Sequence, residues 1–429
     1  MNHVVIGAGA AGIAAARTLL KEKADDTVTM ISEDGEVYSR CMLHRFIAGE
    51  RSAQSINFVN DGLLTCPRFS WIKNKTVTRI DGAAKTVYAA SSGGAEEELA
   101  RGDTIIIAAG ANSVTPPIGD LKTAANVYGL RHLRDARAIA EAAGEAKKIA
   151  VIGAGLVGLD AVAGLLERGE RSGKTFEITV IEMAPTVLAI NLDAHAAEAY
   201  QRLFEKAGVK FLLAQKVVNT QAANAAGARG PEGRPRITAV ELESGESVPC
   251  DMVVLAVGVR PAAAFLEGSG VELTERKAVK VNGKLETTVP GIYACGDVAG
   301  LSGIWPNAQI QGQTVAKNIA GWNLDYEDRF ALKNTVNFFD LVSLSVGAFN
   351  PQEGDEVLVR EDRRNYQKIV LRGGVPVGIV YQGWIGNKGH WQHLIKHGIP
   401  IDKLGKSPWK VSYADFWGCE TNGEFKYVV

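Results

Sequence analysis

The chain has 429 residues, which is too long for one hydrophobic core, so we expect two or three domains. Its 47 Lys and Arg residues nearly balance 48 Asp and Glu residues, which argues against a nucleic acid partner. No uncharged apolar run approaches the roughly 18 residues that a membrane span needs. The five cysteines contain no C-x-x-C pair, so we expect no metal site. The first predicted strand starts too early for a signal peptide, which predicts a cytoplasmic protein with reduced thiols.

The first segment of the chain predicts a dinucleotide-binding unit. Residues 4–6 are apolar, as a buried parallel strand requires, and a helix is predicted from Ile13 onward. Between them lie three glycines with G-x-G-x-x-G spacing, Gly7, Gly9 and Gly12. This spacing gives a tight turn, lets the backbone approach a pyrophosphate and lets the helix pack on the strand. Glu33 ends the second predicted strand, where a carboxylate binds a ribose hydroxyl group.

The same pattern occurs again in the middle of the chain. The apolar segment Lys148–Ile152 precedes a second set of glycines with the same spacing. The glycines of this set are Gly153, Gly155 and Gly158. Each copy ends with an apolar strand that is followed by glycine. This strand lies at residues 104–110 in the first copy and at 252–258 in the second, at a similar distance from the glycine motif. Two such units predict two bound nucleotides.

The acidic residue of the second unit is Glu182. It ends the strand that follows the first helix of this unit. Between that helix and the strand, we expect a turn at residues 169–174 that is longer than the corresponding turn of the first unit. A carboxylate at this position accepts hydrogen bonds from a ribose 2′-hydroxyl group and repels a 2′-phosphate. No arginine adjoins Glu182, so the sequence predicts NADH rather than NADPH.

Several shorter segments are predicted to lie at the surface. Residues 71–81 and 85–88 alternate in the manner of small antiparallel strands. Residues 93–98 predict an acidic hairpin, and residues 222–235 are rich in Ala, Gly and Pro, which predicts a solvent loop.

The chain from residue 326 onward predicts a smaller third domain without a nucleotide motif. Antiparallel strands are predicted at residues 334–344, 366–371 and 375–381. A short helix is predicted at residues 391–396, ended by Gly398.

These motifs resemble those of the pyridine nucleotide-disulfide oxidoreductase superfamily, flavoproteins with two dinucleotide-binding domains. The resemblance covers essentially the whole chain. Besides the two glycine motifs, it rests on residues 108–110 (Ala-Ala-Gly), 257–261 (Val-Gly-Val-Arg-Pro) and 292–297 (Ile-Tyr-Ala-Cys-Gly-Asp). The branches that the chain resembles most are rubredoxin and ferredoxin reductases, NADH oxidase and peroxidase, and coenzyme A-disulfide reductase. Flavin–NAD partners of carbon monoxide dehydrogenase look similar as well.

The resemblance implies an α/β fold with two Rossmann-like domains and an α+β C-terminal interface domain. Residues 1–113 and 250–325 would together form the FAD-binding domain. Residues 114–249 would form the NAD(P)H-binding domain between them. Residues 326–429 would form the interface domain, which in this superfamily usually builds a homodimer.

The resemblance also implies site residues beyond the two glycine motifs and their acids. The additional residues implied for FAD are Arg40, Val77, Ala109, Gly110, Arg131, Asp297 and Ala308. The additional residues implied for NAD(P)H are Asp160 and Gly258. Asp160 stands where the superfamily more often has a longer glutamate.

Cys41 is the cysteine at the most informative position. The cysteine pairs of the better-known branches are absent, both the C-x4-C after the first motif and the C-x-x-C in the second unit. Residues 38–41 (Tyr-Ser-Arg-Cys) resemble rubredoxin reductases, which have proline in the last position. They also resemble NADH oxidases and coenzyme A-disulfide reductases, which carry their single redox cysteine there.

Two interpretations of Cys41 stay open. As the first residue of a helix that ends at Gly49, and beside Arg40, His44 and Arg45, its thiol would have a lowered pKa and a redox function. The alternative is a small apolar residue that only fills space.

Three hypotheses for function follow. The leading one is an NAD(P)H-dependent FAD oxidoreductase that passes electrons from NADH to an iron–sulfur carrier, a rubredoxin or ferredoxin, or in the reverse direction. The second is an enzyme that uses Cys41 on oxygen, peroxide, polysulfide or coenzyme A disulfide. The third, of another class, is an NADH-binding flavoprotein sensor or scaffold.

Overall fold

The computed structural model describes residues 1–59, 62–90, 96–223, 233–327, 333–386, 388–421 and 425–427. The helices in these ranges are α1 (Ala10–Glu22), α2 (Leu43–Ile47), α3 (Leu133–Ala142), α4 (Leu156–Ser172), α5 (Ala194–Lys206), α6 (Trp305–Ile319) and α7 (Gly389–His397).

The strands are numbered in chain order. They are β1 (Asn2–Ile6), β2 (Thr27–Ile31), β3 (Phe69–Ile72), β4 (Thr76–Asp81), β5 (Thr86–Ala90), β6 (Glu96–Arg101), β7 (Thr104–Ile107), β8 (Ala111–Ser113), β9 (Val127–Gly129), β10 (Lys148–Ile152), β11 (Glu177–Ile181), β12 (Lys210–Leu212), β13 (Val217–Ala222), β14 (Ile237–Leu242), β15 (Ser247–Pro249), β16 (Met252–Leu255), β17 (Val259–Pro261), β18 (Ile292–Ala294), β19 (Lys333–Phe338), β20 (Leu341–Gly347), β21 (Glu356–Glu361), β22 (Tyr366–Arg372), β23 (Val375–Gln382), β24 (Trp417–Cys419) and β25 (Phe425–Tyr427).

The first sheet is parallel and has β1 at its centre. Its strand order is β18-β7-β1-β2-β3. Successive residues of β1 enter different cores, because Val5 packs with α1 whereas Val4 and Ile6 pack on the opposite face. Burial on both faces explains why the strand is apolar throughout.

Two details of the first unit differ from the prediction. Helix α1 begins at Ala10 rather than Ile13. Gly12 lies in its first turn, where the missing side chain lets the helix approach β1. The prediction of an antiparallel strand from residue 71 is wrong, because β3 runs parallel to β2 and extends the first sheet.

The second sheet repeats the design of the first. Its strands are parallel in the order β12-β11-β10-β16-β9, with the strand before the second glycine motif at the centre. Helix α4 continues to Ser172 and stops at Gly173, whose φ is 67°. The prediction of a longer turn at residues 169–174 is therefore wrong, because the additional residues lengthen the helix.

The chain crosses between the two sheets at β8 and at β17. These two strands pair antiparallel, with Ser113 opposite Val259. Strand β16 pairs with β10 in the second sheet, so the predicted boundary at residue 250 is wrong and the crossing lies near residue 259. Strand β18 then pairs with β7. The first sheet is therefore built from chain segments that come before and after the second sheet in the sequence.

Two small antiparallel sheets flank the parallel ones, β4-β5-β6 beside the first and β13-β14-β15 beside the second. Residues 93–95 of the predicted acidic hairpin lie outside the described residues, and its last residues belong to β6. Residues 224–232 of the predicted solvent loop lie outside them as well.

The C-terminal sheet is antiparallel, with the order β19-β20-β23-β22-β21. The single strand predicted at residues 334–344 is wrong, because Phe339 and Asp340 form a tight turn with φ values of 53° and 61°. Strand β21 was not predicted. The helix predicted at residues 391–396 is α7, which ends before Gly398 in the left-handed conformation. No helix in the described part of the chain has the length and apolar composition that crossing a lipid bilayer demands.

Helix α5 joins the C-terminal sheet to the second unit. The Tyr200 hydroxyl oxygen lies 2.8 Å from the carbonyl oxygen of Leu341. The carboxylate of Asp193 caps the start of α5 and accepts hydrogen bonds from Tyr366 at 2.7 Å and from Lys368 at 3.0 Å. Tyr200, Asp193, Tyr366 and Lys368 are all buried residues, so the sheet is fixed on the second unit.

Candidate active site

The first glycine motif forms a turn in which side chains have no space. Gly7 has a φ of 110°, and a Cβ atom there would lie 2.3 Å from the carbonyl oxygen of Ala108. A Cβ atom on Gly12 would lie 2.0 Å from the carbonyl oxygen of Gly7. The Cβ position of Gly9, in contrast, has no atom within 4 Å. The start of α1 therefore faces open space, where its free N–H groups favour an anion.

This open space is a cleft with two chambers. The outer chamber of about 300 Å³ and the inner chamber of about 110 Å³ share Gly9, Arg40 and Ala108 in their walls. The other predicted FAD residues in the outer wall are Gly7, Glu33, Val77 and Ala109. Those in the inner wall are Gly110, Arg131, Asp297 and Ala308, together with Cys41. Two chambers that meet at the glycine turn fit a dinucleotide whose pyrophosphate lies at the turn.

Charged side chains border the outer chamber. Glu33 lies beyond the end of β2 and forms an ion pair with Arg134 at 2.8 Å, with both side chains about half exposed. Asp34 accepts a hydrogen bond from the Tyr38 hydroxyl at 2.6 Å. Burial would raise the pKa of Asp34, but the hydrogen bonds from His132 and Tyr38 lower it. Sequence reasoning missed Asp34 and His132, because no motif marks them.

Two arginines are fixed at the wall of the inner chamber. Arg131 forms an ion pair with Asp297, and its Nε donates to the carbonyl oxygen of Ala111 at 3.1 Å. Arg40 donates to the carbonyl oxygen of Arg131 at 2.7 Å. These bonds bring together residues from three separate parts of the chain.

Helix α6 closes the inner chamber from another side. A Cβ atom on Gly312 would lie 2.2 Å from the carbonyl oxygen of Ala11, so α6 lies directly on α1. Trp305, the first residue of α6, lines the chamber with Ala308 and contacts Phe58 with ring centroids 4.9 Å apart. Sequence reasoning found Ala308 but missed Trp305, although this tryptophan lies in the same segment.

Cys41 lies in the inner chamber with its side chain open to the cleft. The backbone forms a 3-10 turn at Arg40–Met42, and α2 begins only at Leu43. The prediction that Cys41 starts an α-helix is wrong, because Met42 has a non-helical backbone (φ −111°, ψ 7°).

The positive charges predicted to lower the pKa of Cys41 are engaged elsewhere. Arg45 donates to Glu167 of α4 at 3.1 Å. Burial by the cleft walls raises the pKa of the Cys41 thiol, the Asp160 carboxylate adds to the rise, and Arg131 opposes it. The prediction of a lowered pKa for the Cys41 thiol is therefore wrong.

A titratable pair joins α2 and α4. Oδ1 of Asp160 in α4 is 3.7 Å from Nδ1 of His44 in α2. Although 31% of the Asp160 side chain is exposed, burial by the surrounding protein raises its pKa to about 7, with Arg45 opposing. Burial lowers the pKa of His44 to about 4, and Arg45 adds to this.

Helices α2 and α4 are in backbone contact at this pair. A Cβ atom on Gly164, one turn after Asp160, would lie 2.6 Å from the carbonyl oxygen of His44. Arg168 also donates to the carbonyl oxygen of Ile47 at 3.1 Å. The segment that carries Cys41 is thus attached to the first helix of the second unit.

The second glycine motif has the same geometry as the first. Gly153 has a φ of 107°, and a Cβ atom on Gly158 would lie 2.0 Å from the carbonyl oxygen of Gly153. Gly155 faces open space, as Gly9 does.

Glu182 is held by the backbone of the second motif. Its carboxylate accepts hydrogen bonds from the N–H groups of Ala154 at 2.7 Å and Ala184 at 2.8 Å. Gly258 is the last residue of the apolar segment that closes the second unit. It follows β16 and has a positive φ of 106°. The acidic residues of the two units therefore have different partners, since Glu33 pairs with a side chain and Glu182 with backbone N–H groups.

The remaining cysteines have no place in the cleft. Cys250 and Cys295 are buried in the core, as predicted, and burial raises the pKa of each to about 12. Among the residues that the structure describes, no group of three or more His, Cys, Asp or Glu side chains is arranged to hold a metal ion.

Comparison with known proteins identifies the family. Residues 1–312 match the family model described as pyridine nucleotide-disulphide oxidoreductase. The chain belongs to this family. It is therefore an NAD(P)H-dependent FAD oxidoreductase.

Three curated relatives cover most of the chain. An NADH oxidase of Methanocaldococcus jannaschii is 32% identical over 75% of this chain and 70% of its own. The epsilon subunit of the NADH-dependent phenylglyoxylate dehydrogenase of Aromatoleum evansii is 27% identical over 88% of this chain and 86% of its own. A rubredoxin-NAD(+) reductase of Acinetobacter baylyi is 27% identical over 74% of this chain and 78% of its own.

Two solved structures illustrate the shared fold of this pyridine nucleotide-disulphide oxidoreductase. The water-forming NADH oxidase of Lactobacillus brevis has a TM-score of 0.81 at 21% identity, covering 94% of this chain and 92% of its own. The NAD-dependent persulfide reductase of A. fulgidus has a TM-score of 0.79 at 24% identity, covering 94% and 78%. The predicted fold class, with two dinucleotide-binding domains, is confirmed.

Proposed function

We propose that the protein carries electrons between NADH and a small iron–sulfur protein, a rubredoxin or ferredoxin. The observation that carries this proposal is that Cys41 is the one cysteine in the described walls of the cleft. Without a pair of thiols, two electrons cannot leave through an internal disulfide bond. FAD accepts two electrons from a nicotinamide and releases them singly to such a carrier. The similarity to a rubredoxin-NAD(+) reductase supports this acceptor class.

The first unit, together with the segment that returns to its sheet, holds FAD in this proposal. The start of α1 binds the pyrophosphate, Glu33 the ribose and the backbone of Val77 the adenine. The Arg131–Asp297 pair and Arg40 orient the chain that leads to the flavin ring. The full set of proposed FAD residues is Gly7, Gly9, Gly12, Glu33, Arg40, Val77, Ala109, Gly110, Arg131, Asp297 and Ala308.

The second unit binds the nicotinamide dinucleotide, with NADH preferred over NADPH. Glu182 lies at the second glycine turn with its carboxylate already oriented by two N–H groups. A 2′-phosphate at that position would face this negative charge. The proposed residues are Gly153, Gly155, Gly158, Asp160, Glu182 and Gly258.

Anaerobic stopped-flow spectroscopy tests the acceptor. NADH is expected to bleach the flavin, and the reduced enzyme is expected to reduce a rubredoxin or ferredoxin at a rate that Cys41→Ser does not lower. Rapid bleaching without electron transfer to any iron–sulfur protein would exclude this function.

A second function is favoured by the position of Cys41 in the inner chamber beside Gly110, Asp297 and Ala308. In this second function, Cys41 reacts with a small disulfide, persulfide, peroxide or oxygen after NADH has reduced the enzyme. Here Cys41→Ser is expected to abolish turnover while the flavin is still bleached by NADH. Full turnover of that variant would contradict this function.

We also propose a cytoplasmic homodimer that associates through the C-terminal domain from residue 326 onward. The edge strand β21 supports this, because Val357 and Val359 are 41% and 55% exposed there. Light scattering after gel filtration measures the mass. A dimer that Val357→Lys with Val359→Lys turns into a monomer is the expected result, and a monomeric wild type would contradict it.

A further inference from the structure

Trp384 is a large aromatic side chain that is exposed and yet fixed in place. It follows β23 and is 57% exposed. Its backbone N–H donates to the side-chain oxygen of Asn365 at 2.9 Å. A Cβ atom on Gly386 would lie 3.0 Å from three atoms of the indole ring, so the ring lies against the backbone there. Nζ of Lys388 lies 5.0 Å from the ring centroid. An aromatic ring held in this way loses little conformational freedom when a partner covers it.

The turn between β21 and β22 places two arginines beside Trp384. Arg363 and Arg364 are both exposed and lie in this turn. A Cβ atom on Gly383 would lie 2.3 Å from the carbonyl oxygen of Arg364, so the turn is in backbone contact with the residue before Trp384. The acidic residue of the turn is Asp362, whose carboxylate accepts hydrogen bonds from backbone N–H groups of the turn at 2.8 Å and 3.0 Å. This carboxylate therefore holds the turn in shape.

The pairing of the strands brings a third arginine close to Lys388. Arg360 of β21 lies opposite Gln367 of β22, and Gln367 lies opposite Tyr381 of β23. Residues that lie directly opposite each other in neighbouring strands share one face of a sheet. Nζ of Lys388 lies 4.9 Å from the ring centroid of Tyr381. Burial lowers the pKa of Lys388, and the charge of Arg360 adds to this, so the two cations act on each other.

These cations lack a neutralising carboxylate. We call the group the basic patch, and its members are Arg360, Arg363, Arg364, Trp384 and Lys388. Among the residues that the structure describes, none of the four cations of the patch forms an ion pair. At the other end of the same hairpin, in contrast, Arg372 is bound by Asp355 at 2.8 Å. The positive charge of the patch is therefore available to a negatively charged partner.

The basic patch lies next to the helix that closes the inner chamber. Lys388 directly precedes Gly389, the first residue of α7. Gly389 lines a cleft of about 450 Å³ together with Ile310 of α6. Ile310 is 39% exposed and lies two residues after Ala308, which lines the inner chamber. A protein seated on the patch would therefore lie beside α6.

We propose that the basic patch is the docking surface for the iron–sulfur carrier, which presents an acidic face to it. This inference rests on the first proposed function, electron transfer between NADH and that carrier. Tryptophan and arginine are the residues that most often carry the binding energy of protein interfaces. The cations of the patch attract an acidic surface from a distance, and Trp384 is covered when the two proteins meet.

Steady-state reduction of an acidic rubredoxin or ferredoxin tests this surface. In each variant, kcat/KM for the carrier is divided by the rate at which NADH reduces the flavin. Arg360→Glu with Lys388→Glu reverses two charges, so this ratio should fall on the order of tenfold or more, and its decrease with rising salt should become less steep. Trp384→Ala should lower the ratio on the order of tenfold without changing the salt dependence, because it removes contact area and no charge.

The matched control is Lys122→Glu with Arg276→Glu, which reverses two exposed charges outside the C-terminal domain. Both its ratio and its salt dependence should match those of the wild type. Patch variants that behave like this control would overturn the inference while the proposed function stands. A wild type whose reduced flavin passes no electron to any carrier would instead contradict the proposed function and the inference with it. Light scattering gives the mass of each variant. A mass that changes with the patch charges would assign the patch to subunit association and overturn the inference as well.

Discussion

At the level of single residues, burial displaces the pKa values of Asp160 and His44 in opposite directions. Folded Asp160 keeps its proton up to about pH 7, whereas the unfolded group releases it near 3.8. The folded state binds more protons in this interval, so Asp160 makes stability fall as pH rises from about 4 to 7. His44 releases its proton near pH 4 when folded and near 6.5 when unfolded. It therefore makes stability rise with pH over nearly the same interval, and the two effects oppose each other.

Replacing either Asp160 or His44 should reveal how the remaining residue makes stability depend on pH. Asp160→Asn leaves His44, so the stability of this variant should rise with pH between about 4 and 6.5 relative to wild type. His44→Gln leaves Asp160, so its stability should fall between about 4 and 7. Urea midpoints at a series of pH values measure both slopes. Profiles that run parallel in the two variants would contradict the opposite pKa displacements.

Glu182 is the residue that should determine nucleotide preference. Glu182→Ala with Met183→Arg removes the carboxylate and supplies a cation for a 2′-phosphate. The ratio of kcat/KM for NADH to that for NADPH should fall on the order of 100-fold, equivalent to about 3 kcal/mol of transition-state binding. Steady-state flavin reduction with each nucleotide measures it. Glu177→Ala, at the far end of the strand β11 that leads to Glu182, is the control. An unchanged ratio in the double variant would exclude this role.

At the level of elements, α2 and α4 depend on close backbone packing. Gly164→Ala would place a methyl group 2.6 Å from the carbonyl oxygen of His44, so the helices must move apart. We expect a loss of about 1–3 kcal/mol in the free energy of unfolding. Chemical denaturation measures this loss, and Glu170→Ala on the exposed side of α4 should stay within about 0.5 kcal/mol of wild type. Equal stabilities of the two variants would show that the contact is loose.

The joint between α5 and the C-terminal sheet depends on one carboxylate. Asp193→Ala leaves the buried Lys368 ammonium group without its partner and removes the helix cap, so a loss of about 3–5 kcal/mol is expected. Asp193→Asn with Lys368→Met removes both charges and should recover most of it. Glu198→Gln, in an exposed pair on the same helix, should cost less than about 1 kcal/mol. Thermal unfolding compares the three. A double variant as unstable as Asp193→Ala would contradict the argument from charge burial.

At the level of the whole molecule, the two parallel sheets and their glycine turns were predictable because local chemistry determines them. An apolar strand followed by glycines at fixed spacing has few alternatives, and the same signal occurs twice in this chain. The cleft residues outside the glycine motif and its acid were predictable only through resemblance to a known family, since they come from segments far apart in sequence.

The state of Cys41 was not predictable from its neighbours in sequence. Arg45 lies four residues away but is bonded to Glu167, 122 residues further along the chain. The effect of Asp160 likewise depends on the packing of α4 against α2. The break between β19 and β20 was missed for a local reason, because Phe339 is an unusual residue for a positive φ.

The pairing of β8 with β17 has a consequence for how this chain can be rearranged. Ser113 and Val259 face each other as neighbours across a ladder, so the second nucleotide unit enters and leaves the first through adjacent points. The chain ends on either side of this insert lie close enough for a two-residue hairpin turn to join them. The same geometry would allow the unit of a relative to be exchanged at these two points without altering the order of strands in the first sheet.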